Sequence, residues 1–252
     1  MTKRQIQDLA RLSKRSERAA QGRFLIEGVR SVEAAVGAGA PLETVLLSAD
    51  AASPRVEAIV QRAGAAGVAV ETLPAHDLGR VGDARSSQGV VAVSRRVVGD
   101  ALPDGVGGVL MLDGVQDPGN VGTLVRTAAW FGVSAVVADV HSADFESPKT
   151  VRAAMGGLWD VALVRVPSLG FVLDALAARE RWGADLGGTA LADWSPPADA
   201  VLVLGSEAHG LSADTASRLT GRVTIPGGVA GGGVESLNVT IAGGILLSCW
   251  AG

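Results

Sequence analysis

Short apolar runs that alternate with helix-like segments restrict the second half of this chain to an α/β fold. The runs at 109–112, 135–137, 161–164, 189–191 and 201–204 are too short for buried helices, and segments with helical spacing separate most of them. Strands that are apolar on both faces are typical of parallel sheets covered by helices on both sides. Because such sheets bind ligands at the carboxyl ends of their strands, we expect a functional site in the loops that follow these runs.

The first hundred residues repeat this alternation on a smaller scale. We predict an opening helix over 3–20, followed by alternating short strands and helices. Residues 97–108 combine glycine, proline and aspartate without periodicity, which is typical of a domain boundary. The sequence therefore predicts two α/β domains, one over 1–97 and one over 108–252.

Composition and the absence of targeting patterns favour a cytoplasmic protein. The chain has 252 residues, 48% of them hydrophobic, and no apolar run approaches the roughly 18 residues that span a bilayer. Its amino terminus lacks the apolar stretch of a signal peptide. A single cysteine, Cys249, allows neither an internal disulfide nor a thiolate metal cluster, and we expect it to be buried. Because His76, His141 and His209 lie in separate segments, no metal site is predicted.

Positive charge is concentrated at the amino terminus, although the chain as a whole carries a net charge of −4. Residues 1–30 hold eight basic and three acidic side chains, which leaves +5 there and −9 in the remainder. Such a segment on an acidic body suits contact with nucleic-acid phosphates, and a solvated helix face explains it equally well. The candidate RNA contacts are Arg11, Lys14, Arg15, Arg18 and Arg23.

The last thirty residues contain a glycine run just before an apolar, helix-like tail. Residues 227–233 include five glycines, and the polar stretch 235–238 separates them from the apolar segment at 241–250. Glycine loses more conformational entropy on ordering than any other residue, so this run is a costly way to begin a helix. It suits a loop whose backbone amides and carbonyls close around a small ligand.

Two further loops carry polar side chains directly after apolar strands. In the first, Asn120 and Arg126 follow an Asp-Pro-Gly turn, where helix capping would explain the asparagine and a surface ion pair the arginine. In the second, Glu207 could be a helix-entry carboxylate, and we expect His209 to have no partner. Neither structural explanation accounts for the position of both loops at strand ends, where ligands gather.

The three stretches together resemble the SpoU (TrmH-like) branch of the SPOUT RNA methyltransferases. That family carries an Asn-Pro-Gly-Asn-like turn with a downstream arginine, then Gly-Ser/Asn-Glu-x-x-Gly-Leu, then Ile-Pro-Met and Ser-Leu-Asn-Val, in this order. The matching residues here are Asp117 to Asn120 with Arg126, Gly205 to Leu211, Ile225 to Gly227, and Ser236 to Val239. The resemblance is strong over 109–252. Residues 147–156 match a secondary family segment, and 22–28 look like the substrate-binding domain that is often fused in front.

The resemblance implies a fold, a cofactor and a set of site residues. Family members form a parallel sheet with a deep trefoil knot, hold S-adenosylmethionine in a bent form against that knot, and are usually dimers. The smaller amino-terminal α/β domain would be similar in fold to ribosomal proteins that grip RNA. By correspondence, the cofactor would contact Leu204, Gly205, Ile225, Pro226, Leu237 and Asn238. The reaction side would be lined by Arg126, Asn120, Glu207, Asn238 and Ser236.

Two positions depart from the family pattern. Gly227 stands where methionine is usual, and the loop from there to Glu235 is longer than in typical relatives, which would shift cofactor contacts. Ala154 stands where serine is more frequent, so a polar role at that position is missing here.

The reaction implied by the resemblance is methylation of a ribose 2′-hydroxyl in structured RNA, with 23S-type ribosomal RNA ahead of transfer RNA. A guanidinium stays protonated in nearly every protein environment, so we expect Arg126 to act as a charge clamp and not as a general base. A non-catalytic RNA-binding protein with a retained knot would lack Arg126, Glu207 or Asn238, and all three are present. A nucleotide-dependent oxidoreductase is disfavoured because no glycine-rich fingerprint follows a first strand.

Overall fold

Two compact units make up the chain, of which the computed structural model describes residues 1–82, 88–227 and 236–251. The amino-terminal unit comprises Met1–Val97 and Asp144–Asp160, and the carboxy-terminal unit comprises Val98–Ala143 and Val161–Gly252. The predicted bounds 1–97 and 108–252 stay a prediction. The units differ from them by placing the segment Asp144–Asp160 with the amino-terminal part of the chain.

The amino-terminal unit contains a mixed four-stranded sheet, whose strands in spatial order are β1 (Arg23–Glu27), β4 (Val90–Arg95), β2 (Leu42–Ser48) and β3 (Ala69–Leu73). Strand β4 runs antiparallel to β1 and β2, whereas β2 and β3 are parallel. Its core includes the fully buried Phe24, Ile26 and Leu46 from β1 and β2. Its first elements are α1 (Lys3–Ala10), α2 (Arg15–Gln21), β1 (Arg23–Glu27), α3 (Val29–Gly37), β2 (Leu42–Ser48), α4 (Pro54–Ala65), β3 (Ala69–Leu73), α5 (Ala75–Val81) and β4 (Val90–Arg95).

The carboxy-terminal unit is organised around one parallel sheet, as the apolar runs predict. Seven strands from the described residues form it, in the spatial order β11 (Gly221–Thr224), β9 (Arg181–Ala190), β10 (Val201–Gly205), β6 (Val109–Asp113), β7 (Ala135–Asp139), β8 (Ala162–Val166) and β5 (Val98–Gly99). The remaining elements are β5 (Val98–Gly99), β6 (Val109–Asp113), α6 (Pro118–Trp130), β7 (Ala135–Asp139), α7 (Pro148–Ala154), β8 (Ala162–Val166), α8 (Leu169–Ala175), β9 (Arg181–Ala190), β10 (Val201–Gly205), α9 (Ala213–Ala216), β11 (Gly221–Thr224) and α10 (Val239–Ala251). All of these except α7 belong to this unit.

The last helix returns from the edge of this sheet to its centre. Strand β11 is the edge strand, yet α10 packs on α6 and on β10. Gly243 makes the close approach possible, because a Cβ atom there would lie 2.5 Å from Leu124 and 2.9 Å from Leu204. The polypeptide around α10 is thereby brought beside the carboxyl end of β10.

Three ion pairs tie the segment Asp144–Asp160, which includes α7, to the rest of the amino-terminal unit. Arg18 bonds Asp144 at 2.6 Å, Arg96 bonds Glu146 at 2.6 Å, and Arg152 bonds Glu27 at 2.9 Å. Arg18, Glu27 and Glu146 are buried. Because a buried charge is costly unless it is paired, these bonds make the segment an integral part of the unit. Ala154 is fully buried there.

The predicted opening helix over 3–20 is wrong in one respect. It breaks after α1 into a single 3-10 turn, and Lys14 is extended with φ −92° and ψ 136° before α2 begins. The guanidinium of Arg18 donates to the carbonyl oxygens of Leu12 and Ser13 at 2.8 and 2.9 Å. These bonds take up carbonyls that a continuous helix would have used internally, and they stabilise the break.

Two smaller predictions also need correction. The run at 189–191 falls at the end of β9, a strand that already begins at Arg181. Cys249 is exposed on α10 and is not a core residue, because the outer face of that helix is left uncovered within the unit. Among the described residues, no helix is both long and apolar enough to cross a bilayer.

Candidate active site

A cavity of about 530 Å³ opens at the carboxyl ends of the strands in the carboxy-terminal unit. Its walls come from the end of β9, the loop after β10, the end of β11 and the start of α10. Most of the wall is apolar side chain and backbone, which is typical of cofactor sites of this size. The predicted catalytic and cofactor-binding residues that line it are Leu204, Gly205, Glu207, Ile225, Ser236 and Leu237.

The loop after β10 folds back on itself so tightly that only glycine fits at its start. Ser206 and Gly210 exchange backbone hydrogen bonds of 3.0 and 2.9 Å. A Cβ atom on Gly205 would overlap the backbone of Gly210 and lie 2.6 Å from the nitrogen of Leu211. The missing side chain therefore lets the turn close and leaves main-chain groups facing the cavity.

A side-chain hydrogen bond connects the first two sequence motifs. The amide nitrogen Nδ2 of Asn120 donates to Oε1 of Glu207. Asn120 is free to do so because Asp117 caps α6, accepting from the backbone nitrogens of Gly119 at 2.7 Å and Asn120 at 3.0 Å. The capping role considered for Asn120 is thus wrong, since its side chain bonds a cavity-lining carboxylate.

Two buried aspartates hold these loops in place, and the sequence reasoning missed both. Asp113, at the end of β6, accepts from the backbone nitrogen of Ser212 at 2.7 Å and so fixes the loop after β10. Asp139, at the end of β7, accepts from the backbone nitrogens of Gly114 at 3.2 Å and Ser142 at 2.8 Å. An aspartate that ends an apolar strand run was the available signal, because a buried carboxylate there needs nearby backbone donors.

Four of the predicted catalytic and cofactor-binding residues do not line the cavity: Asn120, which bonds Glu207, and Arg126, Asn238 and Pro226. Arg126 is exposed on α6 and has no hydrogen bond or ion pair within the described part of the chain. Asn238 uses its side-chain oxygen at the start of α10, accepting from the backbone nitrogen of Thr240 at 2.9 Å. Pro226 is exposed next to Ile225, which does face the cavity. Arg126 and Asn120 lie on the same helix, but only Asn120 bonds Glu207; the guanidinium of Arg126 does not contact that carboxylate.

The third motif is described only in part. The glycine run predicted as a ligand loop spans 227–233, and of this run only Gly227 falls within the described residues; Glu235 also lies outside them. His209, expected to have no partner, lines the cavity through an exposed side chain. No group of three or more His, Cys, Asp or Glu side chains positioned to hold a metal ion occurs in residues 1–82, 88–227 and 236–251.

The amino-terminal basic residues differ from one another in accessibility. Arg11, Lys14 and Arg15 are exposed at the break between α1 and α2. Arg18 is 3% exposed, and its two Nη atoms donate to Asp144 and to backbone carbonyls, so this side chain is not accessible as the RNA contact that the sequence predicts. Arg23 is half-buried and donates to Gln21 at 2.7 Å and to Glu43 at 3.4 Å.

Known families match both parts of the chain. The SpoU rRNA Methylase family matches residues 108–248, more than half of the sequence. The chain belongs to this family. Residues 3–92 of this SpoU-family chain match the MRM3-like substrate binding domain. The family recognised from the three motifs and the α/β fold with a fused amino-terminal domain are thereby confirmed.

Relatives of this SpoU chain match over nearly their whole length. The 23S rRNA (uridine(2479)-2′-O)-methyltransferase of Streptomyces viridochromogenes is 30% identical over 94% of this chain and 85% of the relative. The 23S rRNA (guanosine-2′-O-)-methyltransferase RlmB of Xanthomonas axonopodis pv. citri is 33% identical over 88% and 93%. The crystal structure of the SpoU methyltransferase AviRb from Streptomyces viridochromogenes, with AdoMet, has a TM-score of 0.83 at 27% identity and covers 98% of this chain and 97% of that one.

Proposed function

We propose that this protein transfers a methyl group from S-adenosylmethionine to a ribose 2′-hydroxyl of ribosomal RNA. The observation that carries the proposal is the hydrogen bond between Asn120 and Glu207, which brings two motif loops together at a cofactor-sized cavity. The relatives described above are named as 23S rRNA 2′-O-methyltransferases, and AviRb was solved with AdoMet. The cofactor supplies an activated methyl group on a sulfonium.

The chain's own residues bind the cofactor and orient the ribose. Leu204, Ile225 and Leu237 offer apolar surface to the adenosine, and the Gly205 turn leaves room for backbone contacts. Asn120 and Glu207 hold each other at the cavity, which places polar atoms where the ribose hydroxyl would approach. A rigid pocket of this kind supplies near-attack geometry, an effect that can be worth several kcal/mol.

Arg126 acts in this proposal as a charge clamp. Its guanidinium is exposed and unpaired among the described residues, so it can bind a phosphate next to the target ribose. It also stabilises the alkoxide that develops as the hydroxyl attacks, while a phosphate oxygen or water takes the proton. Glu207 stays with Asn120 and does not need to act as the base.

The proposed RNA-binding surface of the amino-terminal unit is the basic break formed by Arg11, Lys14 and Arg15. These side chains are exposed and the match to a substrate-binding domain covers them. Structured RNA is recognised largely through phosphates and 2′-hydroxyls, which suits an exposed cationic surface. We assign this unit the ribosomal-protein-like fold implied by the resemblance.

We also propose a cytoplasmic location, because the proposed substrate is ribosomal RNA.

The proposal includes a homodimer formed through the α6 and α10 face. Trp130 is 84% exposed on α6 and Ile241 is 55% exposed on α10, a combination that is costly in water. Arg126 precedes Trp130 by four residues and therefore lies on the same side of α6. A second copy covering this face would bring the clamp arginine to a site shared between subunits.

A trefoil knot also belongs to the proposal. The return of α10 from the edge strand β11 to the central strand β10 supports it, because the tail must cross the strand ends near the loop that starts at Gly205.

A methylation map tests the function directly. Ribosomal RNA from a strain lacking the gene would be incubated with the protein and labelled S-adenosylmethionine, and 2′-O-methyl sites mapped by resistance to alkaline cleavage. We expect one site to appear that wild-type cells carry and the deletion strain lacks. Label in transfer RNA alone, or methyl groups on bases, would contradict the proposed substrate.

A further inference from the structure

An ion pair that belongs to none of the sequence motifs lies on the side of the cavity formed by β9 and β11. Arg222 donates through Nη1 to Oδ2 of Asp185 at 2.8 Å, and both side chains line the cavity. They are 47% and 32% exposed, so the pair faces the opening and is not a buried structural bridge.

The strand geometry around this pair is irregular. Arg222 of β11 lies opposite Gly183 of β9, but the next residue, Val223, lies opposite Thr189. Five residues of β9, 184–188, therefore leave the ladder. Such bulges re-aim side chains and are frequent beside active sites. Here the bulge turns Asp185 toward the cavity.

The bulge is packed tightly against Arg222. A Cβ atom on Gly188 would lie 2.6 Å from the carbonyl carbon of Arg222, and the backbone nitrogen of Gly187 donates to Oδ1 of Asp185 at 3.3 Å. Asp185 is thus held by its own turn while it holds the guanidinium of Arg222. The arrangement fixes the position of a cation that would otherwise be mobile.

Charge identifies what this cation can bind. Among the described residues that line the cavity, Arg222 is the one side chain with a permanent positive charge. Its Nε and Nη2 donors have no hydrogen-bond partner within the described part of the chain. A planar guanidinium with open donors matches a carboxylate better than any other common anion except phosphate.

We propose that Arg222, positioned by Asp185, binds the α-carboxylate of S-adenosylmethionine, with the Asp185 carboxylate facing the α-ammonium. The inference rests on the proposed function, which places that cofactor in this cavity. An acid and a base side by side complement the zwitterionic amino-acid end of the cofactor, whose carboxylate is its one anionic group. Asn120 and Glu207, which follow β6 and β10, remain on the reaction side.

Two ligands distinguish binding at this subsite from binding in the rest of the cavity. S-adenosylhomocysteine carries the amino-acid end, and 5′-methylthioadenosine lacks it. Calorimetry on the full-length protein would compare both ligands for wild type, Arg222→Gln and Asp185→Asn. We expect Arg222→Gln to weaken S-adenosylhomocysteine by about 10- to 100-fold, the loss typical of hydrogen bonds to charged groups. The affinity for 5′-methylthioadenosine should change by less than about twofold.

The matched control is Arg218→Gln. Arg218 is also partly exposed and ion-paired, with Asp174 and Asp214, but does not line the cavity, so both affinities should stay unchanged. Equal weakening of both ligands by Arg222→Gln, or no weakening of S-adenosylhomocysteine, would overturn the subsite. If Arg222→Gln does not fold, wild type alone decides: equal affinity for both ligands refutes a contribution from the amino-acid end. Failure of wild type to bind either ligand would instead refute the proposed function.

Discussion

At the residue scale, the site depends on a neighbour taking over the helix-capping role that Asn120 would otherwise have. Asp117 caps α6, which leaves Asn120 free to bond Glu207, a residue 87 positions further along the chain. Asp113 accepts a hydrogen bond from the backbone nitrogen of Ser212 and so anchors the loop that carries Glu207. Because the two polar groups are held by separate anchors, they keep their geometry before any ligand arrives, which is the condition for efficient positioning.

Replacing Arg126 should separate catalysis from cofactor binding. Arg126→Ala should reduce RNA methylation by about 10²- to 10³-fold, the usual cost of removing one donor that stabilises developing charge. Affinity for S-adenosylhomocysteine should change little, because Arg126 does not line the cavity. Arg126→Lys should restore only a small part of the rate, since a point charge does not replace a bidentate fork. Retention of turnover in Arg126→Ala would show that the assignment is wrong.

Gly205→Ala, unlike Arg126→Ala, should weaken cofactor binding. The added methyl group would overlap the backbone of Gly210, so the turn after β10 must open. We expect affinity for S-adenosylhomocysteine, measured by calorimetry, to fall at least about tenfold, which corresponds to roughly 1.4 kcal/mol of strain. Gly64→Ala is the control, because a Cβ atom on Gly64 of α4 would meet no atom within 4 Å. A Gly205→Ala protein with normal affinity would mean that the turn adapts without cost.

At the scale of elements, the break between α1 and α2 separates two kinds of basic residue. Arg18 turns inward, pairs with Asp144 and uses up the carbonyls of Leu12 and Ser13. The exposed side chains around the break are left to solvent or to a ligand. One short segment thus stabilises the amino-terminal unit through Arg18 and supplies positive charge to its surface through the exposed residues.

Substitutions in this segment should have two distinct effects. Neutralising Arg11, Lys14 and Arg15 together to glutamine should weaken RNA binding and lower the slope of log affinity against log salt by about two, as expected for lost phosphate contacts. Unfolding by denaturant should be nearly unchanged. Arg18→Gln should instead cost about 3 kcal/mol of stability, because it removes the buried cation that pairs with Asp144 and donates to the carbonyls of Leu12 and Ser13. Unaltered RNA affinity and salt dependence in the triple variant would reject the proposed RNA surface.

At the scale of the whole molecule, the proposed dimer rests on exposed apolar side chains of the carboxy-terminal unit. Trp130 and Ile241 lie on the two helices that pack against each other, and the exposed Cys249 continues the surface along α10. A tryptophan with this exposure is typical of an interface centre when it is buried by a second chain. In the proposed dimer, methylation depends on association, since Arg126 shares the face with Trp130.

Trp130→Glu should convert the proposed dimer to monomer. A charge in the centre of an apolar interface is costly to bury, so light scattering coupled to size exclusion should report the mass of one chain, against two for wild type. Methylation should fall with the dimer, while the thermal stability of the separate chain stays close to normal. Phe171→Glu serves as control, because Phe171 is 75% exposed on α8 and not on α6 or α10. A monomeric wild type would contradict the proposal at once.

The sequence by itself determined the fold class, the family and six of the residues that line the cavity. Local rules suffice for the fold class, because apolar runs indicate buried parallel strands, whose carboxyl ends form the ligand-binding edge of the sheet. The family and the site residues Gly205, Glu207 and Ile225 came from the resemblance of the three motifs. Only the tertiary structure decided which partner each polar side chain bonds and which of these side chains are accessible to a ligand. Asn120 escaped its capping role, Arg18 turned inward, and Asp185 and Arg222 met through a bulge in β9. Each outcome depends on a partner that is distant in the chain, and a pattern read along the chain carries no information about such partners.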